Sequence, residues 1–320
     1  MINSVFLNAG KLDFDNKLNF SPVTDLTTLI KYTDSSDEKI LERVNDQSII
    51  ITKELPLRRN LISHFPPSVK LICEAGTGYN NIDIDAAREK GITVCNVPGY
   101  SSDAVAHLVI TFILNLSSSL VQRQIMVKQN NLDDFKQYVE LPHFEVQNKT
   151  LGVIGGNGSI GRQVIKIALA LGMKILIYAR SQKPWDSPDV QYASLEELLK
   201  QSDFVSLNCP LTPDTKYLIN KDRLSLMKPT AYIINTSRGA IINEADLIEA
   251  LQNGKIAGAA LDVQEIEPPE PINPLFRMNN VIITPHIGWR RIESRQRLIN
   301  LMAQNIQAFL EGKLINVVNA

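Results

Sequence analysis

The sequence predicts an α/β protein of two domains, each a parallel β-sheet covered by helices. Three observations carry the prediction. Short apolar or β-branched runs alternate with helix-like segments along most of the chain, the pattern of repeated βα units. The 320 residues are enough for two separate hydrophobic cores. The segment Val97, Pro98, Gly99, Tyr100, Ser101, Ser102 interrupts the alternation and precedes a long helix that is apolar nearly all round. It therefore reads as the crossing between domains.

Taken in order, residues 1–7 form a first strand, having neither the basic start nor the long apolar run of a signal sequence. Residues 48–52 (Ser-Ile-Ile-Ile-Thr), 69–74 and 91–96 are further buried strands, with a helix over 84–90 capped by Asp83 or Asp85. The apolar helix covers 103–120 and belongs in a core, or between domains or subunits. Its most apolar part, residues 105–116, is too short to span a bilayer. Residues 122–143 are polar and give no clear period. A second βα series starts with a strand at 149–154, then a helix over 162–171 stopped by Gly172, then a strand at 174–178. Its later strands are 204–208, 231–235, 257–262 and 281–284. A last amphipathic helix, 293–311, carries Leu298, Met302, Ile306 and Leu310 four residues apart and is assigned back to the first domain. The expected domains are thus 1–100 with 291–320, and 101–290.

Composition narrows the function. Lys plus Arg number 33 and Asp plus Glu 34, so a net charge of −1 offers no electrostatic case for nucleic acid. A hydrophobic fraction of 44% suits a globular protein with no membrane partner. Cys73, Cys95 and Cys209 are odd in number and lack metal-ligand spacing. A reduced, cytoplasmic setting with neither disulfide framework nor metal site is expected.

The most informative stretch follows the strand at 149–154. Gly156, Gly158 and Gly161 fit G-x-G-x-x-G, with a strand before and a helix after. Glycines there permit a tight turn and let backbone approach a pyrophosphate, whose charge sits at the helix N-terminus. Gly156, Gly158, Ser159, Ile160 and Gly161 are the expected contacts to a dinucleotide. An acid about 20 residues on normally binds the adenosine ribose. Here the second strand ends in Ala179, followed by Arg180, Ser181 and, two residues later, Lys183. A guanidinium suits a 2′-phosphate, because its fork of donors makes charge-assisted, bidentate contacts. NADP(H) is expected over NAD(H), with Arg180 and Ser181 at the phosphate.

Three later strands end in reactive side chains. Arg238 follows Asn235, Thr236 and Ser237; Glu267 lies in a proline-stiffened loop after Asp262; His286 sits in Thr284-Pro285-His286-Ile287-Gly288. Open α/β sheets place ligands at such carboxyl ends. Reduction of a keto acid needs these three types. Arg238 holds the substrate carboxylate through its donor fork. His286 gives a proton in reduction and takes it back in oxidation. Glu267 beside it fixes the tautomer and favours the imidazolium.

At these residues the chain resembles the D-isomer-specific 2-hydroxyacid dehydrogenase family. The matching segments are the glycine loop, residues 209–215 (Cys-Pro-Leu-Thr-Pro-Asp-Thr), 235–239, 258–262 with Glu267-Pro268, and 284–288, within a resemblance spanning 71–318. It implies two Rossmann-like or flavodoxin-like parallel-sheet domains with an active-site cleft between them, and a discontinuous substrate domain. It implies catalytic Arg238, Glu267 and His286. It adds Cys209, Pro210, Thr215, Thr236, Ser237 and Asp262 to the cofactor site, with Asp262 at the nicotinamide carboxamide. Gly76, Thr77 and Gly78 resemble the family's substrate loop, whose amides bind a carboxylate. Residues 96–106 and His286-Ile287-Gly288-Trp289 resemble the glycerate dehydrogenase/hydroxypyruvate reductase branch; Trp289 reads either as closing the substrate pocket or as a buried interface aromatic.

Two departures stand out: Gly155 precedes the motif and lengthens the loop by one residue, and the acid after Tyr178 is missing. The expected activity is therefore an NADP(H)-preferring reductase of hydroxypyruvate or glyoxylate, acting as a homodimer. A D-lactate-type dehydrogenase and a dinucleotide-sensing corepressor-like protein are the competing readings. Lys53 and Arg58 are read as solvated surface cations rather than as contacts to the far end of the substrate.

Overall fold

The computed structural model describes residues 1–137 and 139–320. The chain divides into two compact units, Met1–Ser101 with Trp289–Ala320, and Ser102–Gly288. In the first unit the strands are β1 (Ile2–Phe6), β2 (Thr27–Lys31), β3 (Ile49–Thr52), β4 (Leu71–Glu74) and β5 (Thr93–Cys95). They pair in the order β2-β1-β3-β4-β5, all parallel. Every residue of β3 and β4 is buried. That is why both read as unbroken apolar runs rather than alternating ones. Helix Ile84–Glu89 is capped by Asp83, whose carboxylate accepts from the Ala86 amide. Helix Ile292–Leu310 packs Leu298, Ile299, Met302 and Ile306 into this unit's core. Arg295 on the same helix is buried, and its guanidinium grips Asp15 through two 2.8 Å hydrogen bonds.

The second unit carries β6 (Thr150–Ile154), β7 (Lys174–Tyr178), β8 (Val190–Tyr192), β9 (Phe204–Leu207), β10 (Tyr232–Asn235), β11 (Gly258–Leu261) and β12 (Val281–Ile283). Their order is β12-β11-β10-β9-β6-β7-β8, again all parallel. The chain winds outward from β6 through β7 to β8, then crosses back to β9 and winds the other way. The carboxyl ends of β6 and β9 thus flank a topological switch point, where such sheets bind ligands.

The apolar helix runs Ser102–Ser118 and is buried in its own unit, against helix Ser159–Ala170 and the sheet. It stops at Ser119, whose φ of 51° breaks the helix. Leu114 is exposed on this helix, but most of the exposed apolar side chains nearby lie on the next two helices, Leu120–Lys128 and Asp133–Lys136, so this helix itself offers little apolar surface for a subunit contact. Among the described residues, no single helix is long and apolar enough to cross a membrane.

Candidate active site

The turns after β10, β11 and β12 lie side by side because those strands are neighbours. After β10, Asn235 folds the first turn. Its Oδ1 accepts from the Ser237 amide at 3.0 Å, and its Nδ2 donates to the Arg238 carbonyl at 2.9 Å. Gly239 must be glycine, since a Cβ there would lie 1.9 Å from the Gln264 backbone. Arg238 is half-buried and donates from Nη1 to the Ser237 carbonyl at 2.7 Å. The Ser237 hydroxyl donates back to the Leu207 carbonyl of β9 at 2.7 Å.

After β11, Asp262 is buried, and its carboxylate organises the third turn. Oδ1 accepts from the Thr284 hydroxyl and from the Ile287 amide, the latter at 2.8 Å. Oδ2 accepts from the Gly288 amide at 2.8 Å, and the Asp262 carbonyl accepts from the His286 amide at 2.9 Å. Burial raises the Asp262 pKa, outweighing these hydrogen bonds and the nearby His286. The turn holds His286 at φ 51°, a left-handed conformation uncommon outside glycine. So Asp262 does structural work that the family resemblance, with its cofactor contact, does not describe.

His286 and Glu267 meet directly. Nδ1 of His286 lies 2.8 Å from Glu267 Oε2, while Glu267 Oε1 accepts from the Gln264 amide at 3.1 Å. A carboxylate only accepts, so Nδ1 carries the proton and Nε2 is the ring nitrogen left for chemistry. Arg238 makes neither of these contacts; its turn is the neighbouring one.

At the switch point, Gly155 does the turning. It has φ 84°, and a Cβ on it would stand 2.6 Å from the Asn208 carbonyl oxygen. The motif reading begins one residue later and misses it; the extra residue before the motif is its signal. Gly161 permits close packing, since a Cβ would lie 2.7 Å from Gly156 Cα. Gly158 is the N-cap of Ser159–Ala170, whose first turn has no acidic residue and no side-chain cap. Its first amides are therefore available to an anion. Thr236 Oγ1 and Asn208 Oδ1, just past β10 and β9, are buried with no hydrogen-bond partner among the described residues. Such atoms are costly unless something completes them. Together with the bare helix end they fit a dinucleotide.

Around this site, Cys209 is mostly buried, which pushes its thiol up to about 11. Thr215 braces the same loop by donating to the Pro210 carbonyl at 2.7 Å. Arg180 and Ser181 are exposed beyond β7, and Ile160 is half-buried.

In the first unit, the Thr77 hydroxyl donates to the Val97 carbonyl at 3.1 Å, and Val97 donates from its amide to the Gly76 carbonyl at 2.8 Å. The amides of Thr77 and Gly78 donate to no described residue. Behind this loop lies Lys53, and here the surface reading fails. Lys53 is 1% exposed, with Nζ 2.8 Å from Glu54 Oε1 and 4.2 Å from the centre of the Trp289 ring. An acid and an aromatic face together offset the cost of burying the ammonium. Burial alone would lower its pKa, but Tyr100, Glu54 and Glu74 outweigh it and the pKa is raised. Nothing in the local sequence signals this. Trp289 is buried in the core of the same unit, whereas Arg58 is exposed as expected.

Against known proteins, residues 110–288 match the family described as D-isomer specific 2-hydroxyacid dehydrogenase, NAD binding domain. A hydroxypyruvate reductase of Blautia hydrogenotrophica is 37% identical over 324 aligned positions, covering 100% of this chain and 98% of that protein. A glyoxylate reductase structure from Paecilomyes thermophila superposes with a TM-score of 0.84 at 32% identity, covering 99% of this chain and 98% of that one. An acyclic imino acid reductase, solved with NADPH and D-Arg, gives a TM-score of 0.87 at 27% identity, covering 98% and 99%.

Proposed function

The chain belongs to the D-isomer specific 2-hydroxyacid dehydrogenase family, and from that premise we propose that it reduces hydroxypyruvate or glyoxylate, with NADPH preferred over NADH. The observation that carries the reading is the 2.8 Å contact between His286 Nδ1 and Glu267 Oε2, on turns after adjacent strands of the dinucleotide-type sheet.

A bound nicotinamide dinucleotide supplies the hydride. The chain's own residues do the rest. Arg238 binds the substrate carboxylate and fixes the keto group relative to the histidine. His286 donates its Nε2 proton to the carbonyl oxygen in reduction and recovers a proton there in the reverse direction. Glu267 accepts from Nδ1 throughout, so it holds the ring orientation and stabilises the imidazolium. Asp262 keeps the 284–288 turn in place. On the first unit, the Thr77 and Gly78 amides are donors suited to a carboxylate.

Support for NADPH comes from the end of β7, where no acid follows Tyr178 and Arg180 and Ser181 stand exposed. The similar hydroxypyruvate and glyoxylate reductases support the substrate class. We also assign a homodimer, because Leu120, Ile125, Leu132 and Phe135 leave apolar surface exposed on the second unit, Phe135 at 79%.

Initial rates of dinucleotide oxidation with hydroxypyruvate and with glyoxylate, NADPH against NADH, test the proposal. Fast turnover favouring NADPH is expected. Turnover favouring NADH would remove the 2′-phosphate assignment, and no turnover with either acid would remove the substrate assignment. Sedimentation at micromolar concentration should give a dimer; a monomer would overturn that assignment.

A further inference from the structure

Asn157 and Tyr192 have no role in the reading above. Asn157 lies within the glycine turn, between Gly156 and Gly158, and Tyr192 ends β8. Their side chains meet, with the Tyr192 hydroxyl 2.8 Å from Asn157 Oδ1. Asn157 Nδ2 donates to the Ser181 carbonyl. The Tyr192 hydroxyl accepts from the Lys183 amide at 2.8 Å, and its single proton has the Lys183 carbonyl, also at 2.8 Å, as a second acceptor. Two side chains thus hold residues 181–183 from two sides. Two residues on, Trp185 lies against the Arg162 guanidinium at 4.4 Å, tying the same stretch to helix Ser159–Ala170.

We propose that Asn157 and Tyr192 are specificity-positioning residues, which fix the 180–183 backbone so that Arg180, Ser181 and Lys183 form a ready site for the 2′-phosphate of NADP(H). The proposal rests on the NADP(H) reading above. Its physical basis is entropic. Arg180 and Lys183 are exposed, long and flexible, and such cations hold an anion weakly when both backbone and side chains must be ordered on binding. Fixing the backbone beforehand removes part of that cost. Because Asn157 belongs to the glycine turn itself, it also sets the spacing between the pyrophosphate end and the ribose end of the cofactor site. Neither side chain needs to touch the dinucleotide to do this.

The test uses the full chain without cofactor and two probes that differ only in the 2′-phosphate, 2′,5′-ADP and 5′-AMP, with affinities measured by calorimetry. The wild type should bind 2′,5′-ADP more tightly, and Arg180→Asp should abolish the difference. Tyr192→Phe and Asn157→Ala should each cut the affinity ratio by about fivefold, the value of a hydrogen bond or two. The Lys183 amide should exchange its hydrogen faster in Tyr192→Phe, where its acceptor is gone. An unchanged ratio in both variants, with Arg180→Asp still abolishing it, would overturn the positioning role alone. An equal loss for both probes would also overturn it, since that is what a merely structural role predicts. A wild type with no preference would overturn the NADP(H) reading and this proposal with it.

Discussion

Two groupings of acid and base, one in each unit, sit in opposite surroundings. His286 and Glu267 stand at strand ends, with side chains 21% and 36% exposed. Lys53 is 1% exposed, and Glu74, whose carboxylate accepts from the Glu54 amide and from Asn81, is fully buried beside it. In the first unit burial dominates and pushes Glu74 up to about 7, although Lys53 pulls the other way. A Cβ on Gly76 would come within 3.2 Å of Glu74 Oε1 and 3.4 Å of Lys53 Nζ, so this cluster lies directly beneath the candidate carboxylate loop. The partly exposed pair keeps water and a ligand within reach of its proton, which suits it to turnover. The enclosed cluster can only support the loop above it.

That contrast breaks most sharply at Glu267. Glu267→Gln should lower kcat by about 100-fold while dinucleotide binding stays near wild type, because orientation and imidazolium stabilisation are lost together. Steady-state kinetics with parallel binding measurements check this; an unchanged kcat would make the pair structural. Next in size, Arg180→Asp should reduce the NADPH-to-NADH ratio of kcat/KM by about tenfold or more, as a charge-assisted contact becomes repulsion. No change would return Arg180 to the solvated surface.

The smallest effect belongs to the buried cluster and appears in stability rather than rate. A carboxyl group whose pKa is higher folded than unfolded contributes stability below its unfolded value of 4.5 and loses it as pH rises through about 7. Wild-type unfolding free energy should therefore decline between pH 5 and 8, by on the order of 1–3 kcal/mol from this group. Glu74→Gln keeps one acceptor and cannot ionise, so it should flatten the profile. Denaturant titration at several pH values reads it directly. The same slope in both proteins would assign it to another group.

How far these two regions can be read from sequence also differs. His286, Glu267 and Arg238 each follow an apolar strand at its carboxyl end, a signal that survives in one dimension. Lys53 looks like an ordinary surface charge, because only the folded first unit brings Trp289 over it, 236 positions along the chain. Both parallel sheets were legible in their long buried strands, such as β3 and β10, whose every residue is buried. The edge strands β2 and β8 were not, whereas the edge strands β5 and β12 were. In β8 no residue is fully buried, so Val190–Tyr192 leaves no apolar run, and Tyr192 with its contact to Asn157 stays out of sight. Asp262 was legible as a site residue, but its hold on the 284–288 turn depends on contacts across two strands.

The most direct test of the central claim is the rate of hydroxypyruvate reduction by His286→Ala beside wild type, with dinucleotide affinity measured on the same preparations. Loss of turnover by about 100-fold or more with affinity within about twofold is the predicted result. Turnover close to wild type, with the protein folded and the dinucleotide bound, would contradict proton transfer by His286.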